Sequence, residues 1–391
     1  MQLTQEQQKM SDGEFGEAQA QAMRILVALG KIYKAENLIS ISSAQVSGVS
    51  YETIGDAGLE YLQDYVKKNA KVKVLTFLNP AGMDRDQWQK MSVPAVFAKK
   101  QIQILDAFKS MGITMSCTCA PYHIGIRPKV GEHIAWAESS AVAFSNSVLG
   151  ARTNREGGPS ALAAAITGLT PNYGLHLDEN RFADIIINVK AKPKTTADFG
   201  AMGSYLGAKL KASIPAFTNL KQVPEIKLKT LGASMAATGS TALFYIKGIT
   251  PEYKVNEGAE KINFTQEELI SHKKDLNIGE KPDLVTIGCP HASLEEIKEV
   301  AQFLNGKKIA HKLWVCTAKK TKELSDVQGF TKIIETAGGL VVADTCMVVS
   351  PLNQMGFKCT ACNSGKAAKY LASLQKQKVV FGDIEDIILA K

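Results

Sequence analysis

Long apolar runs, aromatic residues and a compact cysteine framework are all scarce in this chain, and each shortage removes a class of protein. No stretch approaches the ~20 consecutive apolar residues that cross a bilayer; the run at 161–169 is among the longest. The first residues, Met1-Gln-Leu-Thr-Gln-Glu-Gln-Gln8, are polar and do not read as a secretory signal. A reducing cytoplasm is therefore expected, with cysteines present as thiols or metal ligands. Aromatics make up 7% of the chain, and no aromatic–basic or helix-turn-helix pattern marks a nucleic-acid binder. The densest basic cluster, Lys67, Lys68, Lys71 and Lys73, alternates with apolar residues and reads as a solvated helix end. There is no internal repeat, no low-complexity tract and no Walker A loop. Gly200, Gly203 and Gly207 do not form a dinucleotide fingerprint.

What is present is a soluble globular composition. Hydrophobic residues are 45% and charged residues 21% of 391 residues, with a formal net charge of +8. At roughly 150 residues per domain, that length allows two or three domains. Two regions are expected: an N-terminal α/β region over 1–230 with Ser/Gly-rich loops, and a C-terminal α/β domain over 231–391. The spacing predicts strands at 282–287, 311–315, 340–343 and 379–381. It predicts helices from the capping box Ser293-Leu-Glu-Glu296 to about 306, over 321–337 and over 364–376. This alternation implies a mostly parallel sheet covered by helices. Upstream, strands are expected at 72–77 and 112–115 around a helix at 94–111. The Gly-, Ser- and Ala-rich middle, 116–240, reads as too polar for a simple core, and 249–280 as a charged surface connection.

Cys117 and Cys119, Cys289 and Cys346 each follow the end of an expected strand. Loops beyond the carboxyl ends of parallel strands form the binding crevice of such sheets. Three thiol-bearing loops can thus converge, and thiolates favour iron–sulfur clusters or zinc. Buried cysteines also pack as small hydrophobes, and spacing alone leaves both readings open. Cys316 continues an apolar run and reads as core. Cys359-Thr-Ala-Cys362 lacks the second pair of a zinc ribbon and the surroundings of a thioredoxin-like pair. Asn363-Ser-Gly-Lys366 opens a helix, as an anion site or as a plain N-cap. Arg152 and Arg155, in a glycine-bounded loop, suit a bidentate carboxylate clamp or surface ion pairs. His123, His133 and His291 lie in these loops, and Glu132 and Glu138 flank His133 and Trp136.

Several longer motifs carry a family resemblance. Ser47-Gly-Val-Ser-Tyr51, Leu78-Asn-Pro-Ala-Gly-Met-Asp84, Thr118-Cys-Ala-Pro-Tyr122, Gly131-Glu-His-Ile-Ala-Trp-Ala-Glu-Ser-Ser-Ala141, Asn146-Ser-Val-Leu-Gly-Ala-Arg-Thr-Asn154, Gly174-Leu-His176, Gly288-Cys-Pro-His291 and Asn363-Ser-Gly-Lys366 are similar to the large subunit of aconitase X, over nearly the whole chain. The resemblance implies an α/β fold, an aconitase-like core of mostly parallel sheets lacking the swivelling domain. It implies a cytoplasmic hydro-lyase that removes water from a hydroxy acid. The substrate expected by analogy is (R)-5-phosphomevalonate, giving trans-anhydromevalonate 5-phosphate; cis-3-hydroxy-L-proline is the rival, and a non-enzymatic metal- or phosphate-binding protein the reading from another class. It implies three cysteine ligands for an iron–sulfur cluster, 4Fe–4S or smaller, or for mononuclear iron. These are assigned to Cys119, Cys289 and Cys346, with Cys117 as a rival to Cys119. Catalytic roles are expected for His291, Glu138 and Ser47, and substrate contacts for Asn79, Asn146, Ser147, Arg152, Ser364, Gly365 and Lys366. The base serine is expected on a separate small subunit.

Overall fold

The computed structural model describes residues 1–279 and 281–389. Its C-terminal third is built on the short, apolar, β-branched runs seen in the sequence. Five parallel strands lie in the order Leu340–Ala343, Lys312–Thr317, Leu284–Ile287, Cys359–Cys362 and Lys378–Phe381. The helix Leu294–Leu304 begins where expected. Ser293 accepts from the Glu296 amide, and the Glu296 side chain reaches back to the Ser293 amide.

One expectation changes here, and one reading already set aside is excluded by the geometry. The helix predicted over 321–337 is two, Lys319–Val327 and Phe330–Ala337. Gly329 adopts φ 79° between them, which the right-handed helix does not allow. Cys359-Thr-Ala-Cys362 is a strand buried between two neighbours, which excludes the paired turn of a zinc ribbon.

A second sheet joins Leu75–Leu78, Ser43–Val46 and Ala135–Trp136 in parallel. The strand expected at 112–115 is not formed as a separate ladder. That segment runs beside Leu75–Leu78, held by Thr114 N–H to Thr76 O at 2.9 Å and Leu78 N–H to Ser116 O at 3.0 Å. A third sheet, also parallel, orders Tyr245–Ile246, Pro215–Thr218, Ala183–Val189 and Val255–Phe264. The surface connection expected over 249–280 is therefore largely ordered structure. The strand Val255–Phe264 pairs along Ala183–Val189, and the capped helix Gln266–Asp275 follows it.

The Ala-, Gly- and Ser-rich middle is a packed helical layer, contrary to expectation. Helices Thr196–Leu210 and Glu225–Gly239 lie against each other because small residues let their backbones touch. A Cβ on Gly239 would sit 1.9 Å from Gly207 O. Helix Glu225–Gly239 runs unbroken through residue 230. Among the described residues, no helix is long and apolar enough to cross a membrane, and no swivelling domain stands apart from these sheets.

Candidate active site

The second sheet and the five-stranded sheet place their strand ends around one cavity of about 460 Å³. Ser47, Asn79, Cys119, Glu138, Arg155, Cys346 and Lys366 line it. Cys119 follows the segment beside Leu75–Leu78, where Thr118 N–H donates to Leu78 O at 2.8 Å. Gln45, on the neighbouring strand, donates its side-chain amide to Thr118 O at 2.9 Å. Cys289 follows Leu284–Ile287 and Cys346 follows Leu340–Ala343.

The three thiols are buried and close. Cys289 is hydrogen-bonded to Cys346 and also reaches Ser364. The His291 amide donates to Cys119 Sγ at 3.1 Å. Burial pushes the Cys119 thiol up to about 12. The hydrogen bond from Cys346 draws Cys289 below the ordinary thiol value against burial, and the same bond raises Cys346. Cys289 is thus the first of the pair to become a thiolate. Among the described residues, no three His, Cys, Asp or Glu side chains stand in ready-made metal-binding geometry; the thiols are engaged with one another and with backbone. Cys117 is fully buried in the apolar cluster around Leu78 and Ile113 and does not line the cavity. Cys316 is core, as expected.

Opposite the thiols lies a buried ion pair. Lys366 Nζ bonds Glu138 Oε1 and lies 3.1 Å from Ser140 Oγ. Glu138 also accepts from Asn79 Nδ2 at 2.7 Å and caps the helix Ser139–Phe144 through the Ser140 amide at 3.3 Å. Burial pushes the Glu138 carboxyl upward, but the Lys366 ammonium and the Ser140 bonds overcome it and hold the group down to about 2. Burial alone would discharge Lys366; the Glu138 carboxylate keeps it charged, well above its ordinary value. Lys366 reaches this point because Gly365 passes close to another helix. A Cβ on Gly365 would lie 2.4 Å from Gly200 O. Ser364 caps this helix, accepting from the Ala367 amide at 3.2 Å.

Seven residues expected at the site are outside the cavity lining: Cys289, Ser364 and Gly365, described above, and Arg152, Asn146, Ser147 and His291. The Arg152 guanidinium is occupied by Glu252 at 2.8 Å and Asp178 at 2.9 Å. Glu252 also pairs with the fully buried Arg181 at 2.9 Å, so Arg152 belongs to a structural charge cluster. Asn146 binds Thr153 O at 2.9 Å and Ala242 O at 3.0 Å, and Ser147 Oγ accepts the Phe244 amide at 2.9 Å. Both tie the loop to the third sheet, and neither lines the cavity. His291 is 1% exposed, with both ring nitrogens engaged, and also lies outside the lining. Burial lowers its pKa to about 4, so the ring is neutral near pH 7.

The cation that does face the cavity from the Arg152 loop is Arg155, an exposed residue that donates to Ser240 Oγ at 3.4 Å. Tyr370 also lines the cavity. Its spacing of four from Lys366 on one helix was the signal for it.

Family models for the first, second and third domains of aconitase X match residues 1–179, 183–274 and 282–391. The phosphomevalonate dehydratase large subunit of Methanocaldococcus jannaschii is 52% identical, over 99% of both chains. A cis-3-hydroxy-L-proline dehydratase of Pseudomonas aeruginosa is 32% identical over 98% of this chain and 68% of its own length. The crystal structure of Thermococcus kodakaraensis aconitase X in its holo-form superimposes with a TM-score of 0.94 and 47% identity, covering 100% of each chain.

Proposed function

The chain belongs to the aconitase X family, and from that premise we propose that it is the large subunit of a phosphomevalonate dehydratase. This hydro-lyase removes water from (R)-5-phosphomevalonate to give trans-anhydromevalonate 5-phosphate. One observation carries the reading. Cys119, Cys346 and the Glu138–Lys366 pair share one cavity, with Cys289 bonded to Cys346 behind it, in a chain similar from end to end to such large subunits.

The chemistry of the donors suits a soft metal centre. Cys119 and Cys346 line one cavity, Cys289 is hydrogen-bonded to Cys346, and Asn79 Oδ1, in the same lining, is buried without a hydrogen-bond partner. Cys119, Cys289 and Cys346 would hold an iron–sulfur cluster, 4Fe–4S being the form that leaves one iron without a protein ligand. Iron held there supplies a Lewis acid that helps the substrate hydroxyl leave.

The chain's own residues do the rest. Asn79 Oδ1 accepts a substrate hydroxyl. Lys366 presents a fixed, water-shielded positive charge near the thiols. Glu138, held far below its ordinary value, remains a carboxylate that fixes Lys366 and takes no proton near pH 7. Arg155 takes the anionic end of the substrate, the role the sequence had given Arg152. Loss of water also requires removal of a proton from the carbon beside the carboxylate. We assign that base to a serine of a separate small subunit, the partner implied by the "large subunit" name of the relatives. All seven cysteines are free thiols, in keeping with the cytoplasm.

The hydroxyproline reading is disfavoured by charge. A ring nitrogen needs an acidic partner, and the acid lining this cavity, Glu138, is already matched by Lys366. The test is anaerobic co-expression with the small subunit and assay on phosphomevalonate and cis-3-hydroxyproline side by side. Turnover of phosphomevalonate is expected, with Arg155→Met raising KM for it at least ~10-fold, the size of one lost charge-assisted contact. Turnover of hydroxyproline alone overturns the substrate. Iron without turnover of either leaves a metal-binding protein.

A further inference from the structure

We propose that His291 is a positioning residue, a strut that ties together the three loops bearing Cys119, Cys289 and Cys346. The inference rests on the reading of those cysteines as metal ligands. His291 belongs to the Cys289 loop, two residues further on. Its amide donates to Cys119 Sγ at 3.1 Å. Ring Nδ1 lies 3.0 Å from Thr118 Oγ1, on the residue before Cys119. Ring Nε2 lies 2.8 Å from Thr345 O, on the residue before Cys346. A carbonyl only accepts, so Nε2 carries the proton and Nδ1 accepts from the Thr118 hydroxyl. One residue therefore contacts the chain next to each of two thiols while standing in the loop of the third.

A second contact holds the strut from behind. Lys229, buried on helix Glu225–Gly239, donates to His291 O at 3.1 Å and to Glu296 Oε2 at 2.5 Å. Glu296 in turn accepts the Ser293 amide at 2.8 Å, which pins the far end of the same loop. A histidine satisfied merely as core would find its partners anywhere. This one finds them immediately before two of the three thiols. Outer partners of metal ligands typically change metal affinity 10–100-fold when removed.

The bonds can be cut one at a time in the anaerobically reconstituted two-chain complex. His291→Gln keeps a donor near the Nε2 position and loses Thr118; His291→Asn keeps a group near Nδ1 and loses Thr345. Thr118→Val removes that bond together with the one the Thr118 hydroxyl accepts from the Ala120 amide at 3.0 Å, while preserving the side-chain shape. Iron release to a chelator is followed by visible absorbance, with the electron-paramagnetic-resonance line shape recorded in parallel. His291→Asn, His291→Gln and Thr118→Val are each expected to speed release ~10-fold, and His291→Ala ~100-fold with an altered line shape. Release from His291→Ala within twofold of wild type overturns the strut. So does an unchanged rate in Thr118→Val; if His291→Ala fails to fold, Thr118→Val and His291→Gln decide. A wild-type complex that takes up no iron overturns the ligand reading itself, a result distinct from either.

Discussion

Replacing Glu138 with glutamine keeps the shape of the side chain and removes the charge that faces Lys366. In the native chain this carboxylate accepts from Lys366, from Ser140 Oγ at 3.0 Å and from Asn79 at 2.7 Å, with only 12% of its side chain exposed. Its pKa stands at about 2 against an ordinary 4.5. Leaving one partner of a buried ion pair uncompensated costs about 3–5 kcal/mol. Lys366, 7% exposed, has little water to turn to. Glu138→Gln should therefore lower the melting temperature of the isolated chain by roughly 5 °C or more. Lys366→Met should do the same by stranding the carboxylate. The double variant carries neither charge, so it should recover at least half of the loss, a coupling of about 2–3 kcal/mol. A carboxyl whose folded pKa is depressed stabilises above its unfolded value and loses that contribution as pH falls through the folded one. The gap between wild type and Glu138→Gln should thus close between pH 4.5 and about 2. Melting curves of the four proteins provide the test. If the double variant shows the plain sum of the two single losses, the pair is not coupled and the electrostatic account fails.

Two further outcomes follow from the packing. Gly365→Ala places a methyl 2.4 Å from Gly200 O; overpacking of this kind costs about 1–3 kcal/mol. It should also displace Lys366 and reduce kcat, and wild-type turnover with an unchanged melting temperature would refute the close-approach argument. Glu252→Gln leaves Arg181, fully buried, beside Arg152 without their shared carboxylate. A loss of about 3–5 kcal/mol in stability with KM unchanged is expected; a selective rise in KM would return Arg152 to the substrate site.

Much of the site was legible because its chemistry sits at strand ends. A parallel sheet announces those ends by short β-branched runs, and Cys289 and Cys346 follow two of them directly. The capping box at Ser293 and Glu296 is likewise local, so the helix it opens was readable. What escaped depends on distant partners. Arg152 and Arg155 stand in one loop and look alike in sequence; Glu252, which neutralises Arg152, comes 100 residues later. His291 reads as catalytic beside a cysteine, until Thr118 and Thr345 from other loops occupy its ring. The strand Val255–Phe264 is polar and mostly exposed, so its apolar signal is weak and only its partner reveals it. The helical middle was misread because alanine and glycine look like weak core formers. Their value there is close backbone approach, which hydropathy does not register.

The three thiols are far apart in the order of synthesis. Cys119 leaves the ribosome on the order of 10 to 45 s before Cys346, at roughly 5–20 residues per second. The hydrogen bonds of the Cys119 loop to Gln45 and Leu78 are made to earlier residues and can form before the five-stranded sheet exists, whereas those to His291 wait for it. A nascent chain therefore carries one thiol partly in place and two still to come. On the proposed ligand set, metal would meet all three donors only after the last sheet has docked, which would make loading a step of maturation rather than of folding.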